Sequence, residues 1–228
     1  MMYKKLKSYN INYNFKVFKS HSRKRVAFSL LELIFVIALI AIISSTLIPK
    51  TKISKLQLAT DKIVLYLNYT RYIAFIDDKF DIEDDEWHMK KWTLKFQNCS
   101  NTNYGMYYIV YSDMNGNTAA FKKVDCLKDP MNNKYLYSQY DCEPSSNESK
   151  NILLTKEFGI SKVEVSCNKT GTIGLISFGN DGKVYSKLSS NINKMIEITK
   201  TCTIKLFDED GKFTTIAIEP RTGYIHKL

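Results

Sequence analysis

Apolar residues fill positions 28–48, FSLLELIFVIALIAIISSTLI, and the only charge among them is Glu32. A helix of 21 residues rises about 31 Å, roughly the thickness of a hydrocarbon core. After this run the period changes. Ile53, Leu56, Ala59 or Thr60, Ile63, Leu67, Thr70 and Ala74 recur every three or four positions. That stripe predicts an amphipathic helix over 49–76. Tyr66, Tyr69 and Tyr72 lie on the same helix and are expected to cover sheet edges rather than hold a cofactor. Residues 77–91, DDKFDIEDDEWHMKK, read as a charged loop leaving the helix. Beyond them the period is two. It predicts strands at 92–97, 106–112, 118–123, 162–167, 172–178, 195–198, 202–207, 213–219 and 223–226. GNDGKV at 179–184 and DEDGKF at 208–213 place Asp-Gly at the centre of hairpin turns. CEPSSNESK at 142–150 reads as a polar loop. The expected fold class is α+β: a long N-terminal helix packed on a mostly antiparallel β-rich domain over 77–228.

Charge sharpens this picture. The chain of 228 residues carries 33 Lys and Arg against 23 Asp and Glu, a net +10. Eight of the basic residues (Lys4, Lys5, Lys7, Lys16, Lys19, Arg23, Lys24 and Arg25) lie in 1–27, which has no acid. The remainder is nearly balanced, at +2. The positive charge is therefore a property of the segment ahead of the apolar run. It reads as a topology signal that holds the N-terminus in the cytoplasm, not as a nucleic-acid footprint. On this reading the apolar run is a single membrane anchor in a bacterial inner membrane. Everything after Lys50 is then periplasmic.

All five cysteines, Cys99, Cys126, Cys142, Cys167 and Cys202, follow the apolar run, in what this topology makes an oxidising compartment. None forms Cys-x-x-Cys, which leaves a zinc or redox site without support. Two bridges among five cysteines allow 15 pairings, and the sequence does not choose among them. The expectation is Cys126–Cys142, which closes a short loop and would stabilise by about 3 kcal/mol, together with Cys167–Cys202.

The junction reads Arg23-Lys24-Arg25-Val26-Ala27, then Phe28-Ser29-Leu30-Leu31-Glu32-Leu33. It resembles the class III signal of type IV prepilins and type II secretion pseudopilins. Members of that family have a basic leader, a small residue, a cut, then Phe-(Ser/Thr)-Leu-(Leu/Ile)-Glu and an apolar stretch. The resemblance implies cleavage between Ala27 and Phe28 by a prepilin peptidase, with N-methylation of Phe28. Residues 1–27 are then a removed leader, and 28–48 a transmembrane and filament-core helix. Glu32 becomes the fifth residue of the mature chain and Pro49 the twenty-second. Ala27 stands where the family usually has Gly, and the leader is long. In such filaments the Glu of one subunit offsets the cationic amino terminus of a neighbour, because a carboxylate in apolar surroundings is costly unless paired. Pro49 is expected to kink or locally melt the helix. The implied partners are other pilins or pseudopilins, the peptidase and N-methyltransferase, the membrane and an inner-membrane assembly platform.

Enzyme signatures are missing. No P-loop, Gly-x-Ser-x-Gly, Gly-x-Gly-x-x-Gly or His-x-x-x-His occurs, and His21, His88 and His226 are scattered. Asp81, Glu83, Asp84 and Asp85 read as a solvated loop before they read as metal ligands. Asp113, Asn115 and Asn117 have calcium-loop spacing, but Val124 stands where a closing Glu is needed. No cofactor or metal is expected. The function expected is that of a structural minor pilin or pseudopilin. A DNA-capturing minor pilin is the alternative. Its C-terminal Gly-Arg-x-Arg reads Gly223-Tyr224-Ile225-His226 here, leaving Arg221, Tyr224, His226 and Lys227 as weak DNA contacts. A further alternative is a membrane-anchored periplasmic binding domain that does not polymerise.

Overall fold

The computed structural model describes residues 29–47, 54–100, 104–113 and 122–228. The chain divides into two units, Met1–Thr51 and Lys52–Leu228. The first holds helix α1, Leu30–Leu47. Ser29 caps it: the Glu32 N–H donates to Ser29 Oγ at 3.2 Å, and the Leu33 N–H to the Ser29 carbonyl at 3.1 Å.

Among the described residues no helix is long and apolar enough to cross a membrane. The transmembrane helix expected over 28–48 is corrected accordingly, and with it the single-pass inner-membrane location with a periplasmic domain. The helix has 18 residues, about 27 Å of rise against a core of about 30 Å, and its first turn contains Glu32. The described helices are Leu30–Leu47 and Lys55–Ile76, and Ser54 just ahead of the second is extended rather than helical.

The second unit opens with α2, Lys55–Ile76, whose first turn is closed by the Gln57 N–H donating to Ser54 Oγ at 3.1 Å. Its buried face is Ala59, Thr60, Ile63, Tyr66, Leu67, Thr70 and Ala74, the stripe that the three-and-four spacing predicts. This face packs against two antiparallel sheets. The first has the order β2-β1-β4-β5-β6, from β1 (Trp92–Asn98), β2 (Met106–Ser112), β4 (Gly174–Phe178), β5 (Val184–Lys187) and β6 (Ile196–Glu197). The second runs β3-β7-β8-β9, from β3 (Ile160–Val165), β7 (Cys202–Asp208), β8 (Phe213–Ile218) and β9 (Ile225–Lys227). Both expected Asp-Gly hairpins are present. Gly182 and Gly211 take φ of 80° and 78°, the left-handed conformation that such turns require.

Strand β2 is buried along its whole length. Its outer edge is covered by the irregular segment 122–158, which ends in the short helix α3, Leu154–Phe158. The Leu127 N–H donates to the Val110 carbonyl at 2.8 Å, and the Val110 N–H to that of Leu136 at 3.2 Å. Covering an edge in this way removes a template for strand addition. The segment is fastened from within by Asp129, which is fully buried. Asp129 accepts from Ser149 Oγ at 2.6 Å, Asn151 Nδ2 at 2.8 Å and the Met131 N–H at 2.9 Å. The Tyr66 hydroxyl of α2 joins the network, accepting from Asn151 Nδ2 at 3.2 Å. Burial alone would raise this carboxyl; the bonds from Ser149, Met131, Asn151 and Tyr66 hold it below its ordinary range.

Two disulfides join Cys99 to Cys142 and Cys167 to Cys202. The second is the pairing expected. The first corrects Cys126–Cys142: Cys126 is a buried free thiol, in a bridge with Tyr111 of β2. Burial pushes its pKa up, so it is a poor nucleophile. The strand expected at 118–123 falls mostly outside the described residues, and Lys123–Asp125 is a turn of 3₁₀-helix.

Candidate functional site

Ala27, Phe28 and Pro49, with the leader 1–27, lie outside the described residues, as do Asn115 and Asn117. Of the residues that carry the prepilin resemblance, Glu32 is described. It occupies the third position of α1, three residues after the Ser29 cap. Ser-x-x-Glu is the capping-box spacing, a second meaning of the stretch Phe28-Ser29-Leu30-Leu31-Glu32 that the sequence analysis did not draw. A carboxylate there also faces the positive end of the helix dipole, worth about 0.3–1 kcal/mol.

From Leu33 to Ile43, α1 has no polar side. Leu31, Ile34, Phe35, Ile37, Ile40 and Ile43 point in different directions around the axis and are all exposed. Five consecutive residues, Leu33 to Ile37, each expose between 42% and 65% of their surface. Successive positions turn by about 100°, so those five alone circle the helix. A helix that is apolar all round belongs in an interior.

The four residues proposed for DNA contact are brought close, but into other company. The rings of Tyr224 and His226 stack at 5.4 Å. His226 Nε2 lies 3.9 Å from Glu219 Oε1, and Lys227 makes an ion pair with Asp61 of α2. Arg221 sits in a tight turn at φ 65°, next to Thr222, whose carbonyl accepts from Arg71 Nε at 2.9 Å. Carboxylates thus face Lys227 and His226, and a phosphate would have to displace them.

The acidic segment is more ordered than a solvated loop. Asp78, Asp81 and Asp84 each accept the N–H two residues on, from Phe80, Glu83 and Glu86. Asp84 also pairs with Lys90, and the hydrogen bonds from Lys90 and the Glu86 amide hold its carboxyl below the ordinary range. His88 is buried, with Nε2 at 3.1 Å from the Ser189 carbonyl and 3.2 Å from that of Ser190. Lys91 lies between Trp87 and Tyr185, 5.1 Å from each ring centre, and burial lowers its pKa. Among the described residues no group of His, Cys, Asp and Glu could hold a metal.

A scan against protein-family models and searches of curated proteins and solved structures find no match.

Proposed function

We propose that the chain is a structural subunit of a type IV pilin-like or pseudopilin-like filament, with α1 as the element through which copies assemble. The observation that carries this reading is the apolar circumference of α1 over Leu33–Ile43 with one carboxylate ahead of it. Such a surface demands cover, and side-by-side α1 helices of neighbouring copies supply it. Glu32 then needs a cation, and an α-amino group at Phe28 of a neighbour would provide one. The partners are other pilin-type subunits, the peptidase and N-methyltransferase that process them, and the assembly machinery. The role is structural, without a chemical step. DNA capture has less support, because Asp61 and Glu219 already face Lys227 and His226.

Intact mass spectrometry of the protein from its own host tests the reading. The expected mature chain begins at N-methylated Phe28. A mature chain beginning at Met1 or Met2 would overturn the assignment.

A further inference from the structure

We propose that the outward face of the second sheet, β3-β7-β8-β9, binds an uncharged polysaccharide whose sugar rings lie on the side chains of Phe213 and Tyr224. The face follows from the register. Ile204 and Leu206 of β7 and Ile216 and Ile218 of β8 are fully buried in the core. Side chains alternate along a strand, so Lys205 and Phe207 of β7 and Phe213 and Thr215 of β8 point the other way. Residues directly opposite each other in a ladder share a face. Phe207 is opposite Phe213, and Ala217 is opposite His226. Two ring pairs therefore stand on this face: Phe207 with Phe213, centres 5.5 Å apart, and Tyr224 with His226, centres 5.4 Å apart. Phe213 and Tyr224 are each 57% exposed. Four residues separate Phe213 from Ala217, so the pairs lie about 14 Å apart along the strands.

The charges on this face select the partner, because they balance. Lys162 pairs with Glu164 at 2.6 Å, and Lys205 is matched by Glu219 at the end of β8. The turn between β7 and β8 adds Asp208, Glu209 and Asp210 against Lys212. A nucleic acid or an anionic lipid surface needs a positive field, and this face does not build one. A protein partner needs a continuous apolar centre, whereas Lys205 and Thr215 separate the ring pairs. A sugar ring has both surfaces that the face matches: a flat side of C–H groups that lies on an aromatic ring, and a rim of hydroxyls that bonds to Thr, Lys and Glu side chains. The spacing of the pairs needs a chain of sugars rather than a single one. The rings sit on paired strands, and Cys167–Cys202 fastens the start of β7, so little ordering is left for the ligand to impose. None of this rests on the assembly role of α1.

The test is calorimetric titration of the full chain, disulfides intact, in a detergent without a sugar headgroup. The probes are cellohexaose and chitohexaose, with single-stranded oligothymidine and a heparin fragment in parallel. At least one hexaose should bind at about millimolar concentration or better, and its affinity should change by no more than about twofold between about 0.05 and 0.5 M NaCl. Phe213→Ala and Tyr224→Ala each remove an exposed ring and should each weaken that binding about fivefold or more, with a denaturation midpoint close to wild type. Binding of neither hexaose, or wild-type affinity in both variants, would overturn the proposal. Tighter binding of oligothymidine or heparin, abolished by salt, would overturn it in favour of an anionic polymer.

Discussion

Reduction of both disulfides is expected to remove about 8 kcal/mol of stability from residues 52–228, enough to unfold most domains of this size. The sequence separations are 43 for Cys99–Cys142 and 35 for Cys167–Cys202. In the chain-entropy account, loops of those lengths stabilise by about 4 kcal/mol each. Cys99–Cys142 pins the irregular segment 122–158 to the end of β1, and Cys167–Cys202 joins the chain just after β3 to the start of β7. Urea denaturation with and without reductant measures the effect, which should be a midpoint shift of several molar at an m-value of about 2 kcal/mol/M. An unchanged midpoint after complete reduction would contradict the account. Thiol counting on the unreduced chain should find one free thiol, Cys126, and only after denaturation, because it is buried.

Asp129→Ala is the point substitution expected to cost most, about 3 kcal/mol or more. It leaves donors from Ser149 and Asn151 without their acceptor inside the core. The same carboxylate makes stability depend on pH. Its folded-state pKa lies below its unfolded value, so the stabilisation is fully present above about pH 4, the unfolded value. It is lost as pH falls through the lower, folded-state value. Melting temperatures between pH 7 and pH 2 should therefore fall more steeply for the wild type than for Asp129→Ala. Parallel curves would show that Asp129 does not hold the segment. Asp129→Asn should lose less, since one side-chain oxygen still accepts.

Much of the architecture could be read from periodicity, for a physical reason. Where burial alone orders a segment, the apolar spacing records it. The α2 stripe from Ala59 to Ala74 and the strand Met106–Ser112 fall where the pattern places them, and the Asp-Gly turns fall where left-handed backbone is needed. Strand β5, Val184–Lys187, was not anticipated: it has only four residues, with Ser186 facing inward. Segment 122–158 was not assignable because a buried carboxylate orders it, and such a network has no period. One local cue was available, Asp129-Pro130, whose side chain accepts the Met131 N–H two residues on, as Asp does in turns. The Cys99–Cys142 pairing depends on where segment 122–158 folds back, which the spacing of cysteines does not encode. Likewise the burial of His88 comes from carbonyls of Ser189 and Ser190, a hundred residues away. For the candidate site, the sequence identified Glu32 and the apolar run around it. It did not indicate that Ser29 closes the first turn of α1 at the Glu32 amide, or that among the described residues no helix is long and apolar enough to cross a membrane.

The charge of Glu32 supplies the most direct test. Glu32→Gln keeps a side-chain oxygen at the third helical position, with the capping geometry around Ser29, and removes the charge. The measurement is the amount of the variant, relative to wild type, in filament fractions sheared from the host cell surface, with processing checked by mass. If α1 assembles copies through a charge pair, Glu32→Gln should be processed normally and largely absent from the filaments, as should Glu32→Ala. Wild-type incorporation of Glu32→Gln would contradict this, leaving the charge pair without a role in assembly.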